Sequence, residues 1–472
     1  MSFPADWLAD PAVSKRVVRT IDMHVIPPLF LLYLLAFIDR SNIGNAKIEG
    51  LETSLGMSGN DYNIALVVFF LPYILLEVPS NFVLKKVKPS TWLSLILFLW
   101  GCVTVGIGNV RTYGQLIACR FLLGALESGL FPGCVYVISS YYKRYELFKR
   151  MSIFYCAGIS SGAFGGLLAY GISNMDGVGK LEGWRWIFII EGIVTVLVGS
   201  LAKLFLPDFP ESAKFLTPEE SAFVTRRISD EASTQAFRMD KLDRHAWRIL
   251  LTDYKIFFGA AIFMCAITTS YSGSFFLPTI IKLMGFTSAA AQVRTIPVYL
   301  VCATVTITVS ALSDKLNNRW VFSLVGSCVG ITGFAILLGG YDRGVSVRYF
   351  ACFLTMAGAF IVQPLVVVWL QNNLSGHYKR AFGSAVQVSI GNCSGIIASF
   401  AFTEGSAPRY VSGLSVAMAM LAACFPLTLA FALCMKIDNK KRERGDFDKR
   451  FNQPPEVVNN MGDYHPDFRF IL

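Results

Sequence analysis

Twelve apolar segments dominate the sequence, and each has about the length of a membrane-spanning helix. They lie near residues 24–46, 62–84, 91–109, 113–141, 151–173, 185–206, 256–282, 293–313, 320–340, 347–371, 381–403 and 411–435. A hydrocarbon core about 30 Å thick requires about 20 such residues in an α-helix. Because backbone polar groups in lipid must be satisfied within the segment, apolar runs of this length form helices. The sequence therefore predicts an all-α membrane protein with twelve transmembrane helices.

Composition agrees with this class and excludes several others. Of 472 residues, 54% are hydrophobic and 16% are charged, and the mean hydropathy is +0.52. The net charge of +10 does not indicate a nucleic-acid partner, because the Lys and Arg residues fall between the apolar segments. The eleven cysteines all lie in apolar segments without a C-x-x-C spacing, which argues against a metal site. No P-loop motif is present and the four His residues form no cluster, so the sequence argues against ATP-driven transport and metal chemistry. We expect no cofactor and no catalytic residues.

The positions of the basic residues predict the topology. They cluster before the first segment, after the second, after the fourth, between the sixth and seventh, and after the twelfth. By the positive-inside rule, all of these connections and both termini are cytoplasmic. Residues 1–23 have no small-residue cleavage site, so the first segment should remain in the mature protein.

One long polar connection divides the chain into two sets of six segments. Six plus six around a cytoplasmic loop is the plan of a secondary transporter with a site near the midplane. The predicted parts are a tail 1–23, a half 24–206, a loop 207–255, a half 256–436 and a tail 437–472. Within the loop, Thr217 is a suitable N-cap for a short amphipathic helix, since acids follow in the first turn.

Charge inside an apolar segment is costly and normally faces a wet cavity or a partner, and four such charged residues occur in the first and fourth segments. Asp39 and Arg40 are in the first segment, and Arg120 and Glu127 are in the fourth. Seven residues place Arg120 and Glu127 on one helix face, about 10 Å apart along the axis. The two segments run in opposite directions, so Arg40 and Arg120 should lie at nearly the same depth, facing the axis between the halves.

Two interpretations of these four residues remain open. In the first, Arg40 and Arg120 form an anion clamp, because a guanidinium offers a planar fork that matches a carboxylate. Glu127 and Asp39 would then bind and release protons, since burial and a nearby arginine have opposing effects on the pKa of a carboxyl group. In the second, the two acids simply neutralise the two arginines as structural pairs.

Polar side chains elsewhere add candidates for binding and gating. Gln363 and Asn392, in the second half, could bind the polar end of a substrate, although amides also hold packed helices together. Glu77, near the cytoplasmic end of the second segment, is a candidate gate or cap contact.

The connection between the eighth and ninth segments, Ser310-Ala311-Leu312-Ser313-Asp314-Lys315-Leu316-Asn317-Asn318-Arg319, resembles a loop of the major facilitator superfamily. The family pattern is Gly-x-Leu-x-Asp-Arg-x-Gly-Arg-Arg, from which Ser310 and the two asparagines depart. The resemblance implies the major facilitator fold and a gating role for Asp314 and Arg319. The corresponding connection of the first half, residues 79–89, lacks the Asp and Gly of the pattern.

A wider set of motifs resembles the fungal anion:cation symporters of that superfamily, the allantoate permease family. The motifs cover nearly the whole chain. They include Asp39-Arg40-Ser41-Asn42-Ile43-Gly44-Asn45, Glu77-Val78-Pro79-Ser80-Asn81, Arg120-Phe121-Leu122-Leu123-Gly124, Gly183-Trp184-Arg185-Trp186 and His465-Pro466-Asp467-Phe468-Arg469.

This resemblance implies proton-coupled symport of a small organic anion, such as nicotinate, pantothenate, biotin or allantoate. Related animal organic-anion transporters have Arg-x-Asn in the first segment and Arg with Glu seven residues later in the fourth. Arg40 with Asn42, and Arg120 with Glu127, match these patterns. The implied roles are anion binding for the arginines, with Asn42 beside them, and proton coupling for Glu127.

The expected partners are a small organic anion, protons and the lipid bilayer, and no nucleic acid. We expect a monomer in the plasma membrane. Two alternatives remain from the sequence, an exporter of a fungal secondary metabolite and a nutrient receptor that signals without transport.

Overall fold

The computed structural model describes residues 11–173, 175–234, 250–316, 318–340, 344–375, 377–452, 458 and 461–472. Over these residues the chain is helical, with short turns and no β-strand. The helices are α1 Pro11–Ile48, α2 Leu51–Ser54, α3 Asp61–Lys86, α4 Pro89–Gly108, α5 Tyr113–Glu127, α6 Leu130–Tyr141, α7 Arg144–Ser173, α8 Gly183–Phe205, α9 Pro218–Thr234, α10 Tyr254–Lys282, α11 Ser288–Leu316, α12 Arg319–Gly339, α13 Val345–Asn373, α14 His377–Ala401 and α15 Val411–Glu443.

The helices agree with the predicted segments, with two differences. In the described part of the chain, eleven spans are long and apolar enough to cross a membrane, and α5 and α6 together count as one of them. The remaining predicted segment, 62–84, coincides with α3, which has 26 residues. The first difference is that α1, with 38 residues, begins within the predicted N-terminal tail. The second is that segment 113–141 forms two helices, because α5 ends at Glu127 and α6 begins at Leu130.

The chain divides into two compact units. Unit one consists of residues 1–56 and 71–234, and unit two consists of residues 57–70 and 235–472. The division falls within α3, whose residues up to Phe70 belong to unit two. Each unit has its own buried interior.

In unit one, α4 and α8 pack closely because glycines lie at their contact. A Cβ atom on Gly192 would lie 2.6 Å from the backbone N of Val105, and one on Gly101 would lie 2.7 Å from the backbone N of Val196. Small residues of this kind let helix backbones approach one another in a membrane. α1 packs against α7 and α8, so the charged part of α1 lies beside this tight helix pair.

A close contact lies at the turn between α5 and α6 in the same unit. A Cβ atom on Gly129 would lie 1.9 Å from the Oγ of Ser80 in α3, so no other residue fits there without movement. The break makes Glu127 the last residue of α5.

The central connection contains the predicted helix. The backbone N of Glu220 donates to the Oγ1 of Thr217 at 3.2 Å, and the backbone N of Thr217 donates to Oε2 of Glu220 at 3.1 Å. This reciprocal pair is a capping box at the start of α9. Arg227 of α9 is paired with Glu146 of α7 at 2.9 Å, which holds the helix on unit one.

In unit two, residues 461–472 form a C-terminal strap, with one short 3-10 helix at Gly462–Tyr464, across the ends of several helices. The backbone N of Ile471 donates to Oδ1 of Asn373 at 2.8 Å, and that of Phe470 donates to Oδ1 of Asn439 at 2.9 Å. The backbone N of Arg319 donates to the carbonyl of Leu472 at 3.1 Å. The strap thereby connects the ends of α12, α13 and α15.

Four buried charges join the strap to two further helices. We call Asp253, Lys255, Lys379 and Asp463 the charge quartet; their side chains are at most 2% exposed. Nζ of Lys255 lies 2.8 Å from both aspartates, and Nζ of Lys379 lies 2.8 Å from Asp463 and also pairs with Asp253. Burial alone would raise the pKa of Asp463, but the two ammonium groups outweigh it and lower this pKa from 3.8 to about 2. The strap is therefore held by its ionised carboxylate.

Candidate functional site

The four charged residues predicted from the first and fourth segments lie together in the interior of unit one. Asp39 and Arg40 are on α1, and Arg120 and Glu127 are on α5. Their exposed fractions are 2%, 6%, 2% and 1%. Removing charges from water is costly unless they are paired or hydrogen-bonded, so their mutual contacts decide what this site can do.

Glu127 lies between the two arginines. Its Oε1 accepts a hydrogen bond from Nη2 of Arg40, which makes a buried ion pair, and it also interacts electrostatically with Arg120. Arg120 is on the same helix as Glu127. The direct pair instead forms with α1, because seven residues along α5 separate Arg120 and Glu127 by about 10 Å. The structure thus brings both predicted arginines to one carboxylate.

Aromatic rings surround the Arg40 guanidinium. Its Cζ lies 5.0 Å from the ring centroid of Phe37 and 5.0 Å from that of Tyr73, a distance at which cation–π attraction acts. One to two turns earlier on α1, the Tyr33 ring contacts Phe37 and lies 5.6 Å from Phe131 of α6. The rings of Phe37 and Phe131 remain partly exposed.

Asp39 belongs to the same set of charges through different contacts. Its Oδ2 accepts a hydrogen bond from the Oγ1 of Thr195 in α8 at 3.4 Å, and it interacts electrostatically with Glu127 and Arg120. The Cζ of Arg120 lies 5.8 Å from the ring centroid of Phe188, also in α8. α8 therefore forms one wall of the site.

The sequence analysis missed a fifth charged residue of the site, which lies on α8. Glu191 of α8 is 5% exposed, and among the described residues neither of its carboxyl oxygens has a hydrogen-bond partner. It interacts electrostatically with Asp39. The signal was available, since Glu191 is a carboxylate inside apolar segment 185–206, like Glu127 in its segment. We call Asp39, Arg40, Arg120, Glu127 and Glu191 the charge cluster.

Two other predicted residues of unit one are Asn42 on α1 and Glu77 on α3. Asn42 is buried, its Oδ1 accepts from Nδ2 of Asn45 at 3.5 Å, and it lies near Gly165 of α7. Two residues correspond to about 200° of helix rotation, so Asn42 leaves α1 on a different side from Arg40. Glu77 is buried in α3.

The predicted amides of unit two connect helices there. Nε2 of Gln363, on α13, donates to the Oγ of Ser270 on α10. The hydroxyl of Tyr271, on α10, donates to Oδ1 of Asn392 on α14 at 3.1 Å. Both amides therefore have helix partners in this structure, as packing residues would.

The predicted gating pair is a local contact. Nη2 of Arg319, at the start of α12, lies 3.2 Å from Oδ1 of Asp314 near the end of α11. The pair spans five residues, and the Asp314 side chain is 37% exposed.

A bundle of apolar helices with buried charges is typical of membrane carriers, and comparison with known proteins identifies the family. Residues 29–400 match the family model described as Major Facilitator Superfamily. The chain belongs to this superfamily. It is 35% identical to an uncharacterised transporter of Schizosaccharomyces pombe over 98% of this chain and 91% of that protein.

Two further comparisons are informative about this major facilitator protein. It is 30% identical to the high-affinity nicotinic acid transporter of Saccharomyces cerevisiae, over 99% of this chain and 87% of that protein. Among solved structures, a bacterial homologue of the human lysosomal transporter Spinster matches with a TM-score of 0.65 at 17% identity, covering 87% of this chain and 95% of that one. This second likeness concerns the fold alone.

These findings confirm the predicted major facilitator fold. The protein is a multi-pass membrane transporter and not an enzyme.

Proposed function

We propose that this transporter carries a small organic anion together with protons. The observation that supports this most is the convergence of two buried arginines, Arg40 and Arg120, on the single carboxylate of Glu127. A place where two guanidinium groups receive one carboxylate is suited to receive the carboxylate of a substrate.

Proton coupling follows from the Arg40–Glu127 pair. A proton on Glu127 neutralises the carboxyl and frees Arg40 for a substrate anion. Loss of the proton restores the ion pair, which then competes with the substrate for Arg40. Proton and anion binding are therefore mutually favourable, which is the thermodynamic requirement for symport. We assign the proton-coupling role to Glu127 and Asp39.

The rings beside Arg40 favour a flat, aromatic monocarboxylate. Phe37 and Tyr73 lie on the guanidinium, and Phe37 and Phe131 keep part of their rings exposed nearby. A ring bound through its carboxylate to Arg40 could stack on these surfaces. The similarity to a nicotinic acid transporter supports the same class, and with it the narrower assignment to the fungal anion:cation symporters.

The remaining assignments follow the sequence. We propose two halves, 24–206 and 256–436, in a monomer of the plasma membrane, with both tails and the loop 207–255 in the cytoplasm, as the positive-inside rule supports. Asn42, Gln363 and Asn392 would contribute to substrate binding. Glu77, Asp314 and Arg319 would contribute to gating.

The first test is a growth screen of a vitamin-uptake-deficient yeast on a panel of aromatic and aliphatic carboxylates. Any transported anion is then used with purified protein in proteoliposomes under an imposed pH gradient. Symport predicts accumulation that collapses when the gradient is dissipated. Binding without flux would support a receptor instead, and transport only out of the cytoplasmic side would support an exporter.

The second test is Arg120→Lys, which keeps the charge but loses the fork. We expect uptake to fall at least 20-fold with normal insertion. Arg111→Lys is the matched control, because Arg111 is exposed outside the membrane-spanning helices and should leave uptake unchanged. Uptake by Arg120→Lys above half the parent rate would rule out the bidentate clamp.

A further inference from the structure

One face of α8 lies against the charge cluster. Phe188, Glu191 and Thr195 are spaced by three and four residues, so their side chains share a helix face. At one end of this face the Phe188 ring is next to Arg120, and at the other end Thr195 donates to Asp39. Glu191 lies between these two contacts.

In the part of the chain that the structure describes, no basic side chain pairs with Glu191. Among the described residues, Asp39 is the charged group that acts on it electrostatically. The neighbouring α4 contains no charged residue, and the span of α7 from Ile153 to Ile172 contains none either. Arg120, from α5, acts on Asp39 and Glu127. Two carboxylates that interact in a dry interior cannot both stay ionised at modest cost.

We propose that Asp39 and Glu191 share one proton and form a second proton-binding site of the transporter, beside Glu127. With all groups ionised, the charge cluster has three negative and two positive charges. One shared proton makes it neutral, and because both oxygens of Glu191 lack a donor, the neutral acid is the form that this position accommodates best.

This site deepens the proposed symport, and its role in transport rests on that proposed function. A bound monocarboxylate would return the neutral cluster to a net charge of minus one. Uptake of a further proton, on Glu127 or on the acid pair, would restore neutrality. The shared proton itself does not depend on the substrate, so it can be tested separately.

The test is carbodiimide labelling of the purified full chain in detergent at pH 7.5, with modified residues identified by peptide mass spectrometry. Carbodiimides react with protonated carboxyl groups in apolar surroundings. We expect labelling of the Asp39–Glu191 pair, with about one modification per chain, and at least tenfold less on Glu127, which is paired with Arg40. Absence of label from both Asp39 and Glu191 would overturn the proposal without any variant.

Two variants test the sharing. In Glu191→Gln one of the two like-charged neighbours of Asp39 is gone, the other being Glu127, which stays paired with Arg40, and the new amide can donate to Asp39, so Asp39 labelling should fall at least tenfold. Glu191→Asp keeps an acid and should retain labelling at the pair. Glu182→Gln, at the start of the same helix and hydrogen-bonded to Trp184, is the control that should leave Asp39 labelling unchanged. Undiminished Asp39 labelling in Glu191→Gln would show that no proton is shared.

The transport readout is the pH profile of uptake of the anion found in the growth screen. In Glu191→Gln the acid stimulation should move at least one pH unit lower, a tenfold higher proton concentration, while Glu191→Asp keeps the parent profile. If the parent protein is labelled at Asp39 and Glu191 but shows no acid-stimulated uptake, the proposed symport is contradicted. The proposal of a shared proton is then still supported. An unchanged profile in Glu191→Gln would contradict the second site alone.

Discussion

Replacing Asp463 by Asn should release the C-terminal strap from unit two. The side chain keeps its shape but loses its charge, so Lys255 and Lys379 are left with one aspartate between them. Removing one partner of a buried pair typically costs about 3 to 5 kcal/mol. The lowering of the Asp463 pKa from 3.8 to about 2 corresponds independently to about 2 kcal/mol, at 1.36 kcal/mol for each pKa unit. A loss of about 2 to 5 kcal/mol is therefore expected.

Hydrogen exchange of the strap amides measures this loss directly. The amides of Phe470 and Ile471 donate to side chains of α15 and α13, so they exchange only when the strap opens. A loss of about 2 kcal/mol makes opening roughly 30-fold more frequent. The control is Asp467→Asn, because the Asp467 side chain is 67% exposed in the same strap. Exchange in Asp463→Asn within threefold of this control would refute the argument.

The pH dependence of strap docking follows from the same carboxylate. Its pKa is lower in the folded protein than the ordinary value of 3.8, so the stabilisation is fully present above that value. It is lost as the pH falls through about 2. The protection of the strap amides from hydrogen exchange should therefore be constant between pH 5 and 8 and should decline only in strong acid.

Two further predictions concern unit one. Gly192→Ala brings a Cβ to 2.6 Å from the backbone of Val105 and should cost about 1 to 3 kcal/mol of stability, seen as a lower melting temperature; Gly171→Ala, where a Cβ meets nothing within 4 Å, should cost little. Glu127→Gln imitates the protonated acid and frees Arg40, so it should keep anion binding and exchange but lose accumulation driven by a pH gradient. Persistent acid-driven accumulation in that variant would exclude Glu127 as an essential proton carrier.

The sequence predicted the helices well because apolar length is a local property. Eleven predicted segments are confirmed as spans over the described residues, and the capping box at Thr217 marks the start of α9 as expected. The break after Glu127 was not predictable in this way. At this turn Gly129 lies against Ser80 of another helix, a contact between helices that apolar length does not reveal.

Most residues of the charge cluster could be predicted from the sequence, but which of them form an ion pair could not. A charged residue in an apolar segment is visible without a structure, and Asp39, Arg40, Arg120 and Glu127 were found on that basis. Helical periodicity relates residues of one helix only, so it placed Arg120 and Glu127 on one face but could not identify the Arg40–Glu127 pair between α1 and α5. Glu191 was missed for the same reason, because its proximity to Asp39 depends on how α8 packs against α1.

The charge quartet also determines when unit two can be completed during synthesis. Among the residues that the structure describes, Lys255 and Lys379 have Asp253 as their acidic partner until Asp463 has been made. Asp463 follows Lys379 by about 85 residues, which is a delay of about 4 to 17 seconds at typical elongation rates. During that interval two lysines share one aspartate, and the ends of α12, α13 and α15 lack their cross-connection. The newly made transporter should therefore be most exposed to quality-control proteases in the seconds before the strap leaves the ribosome.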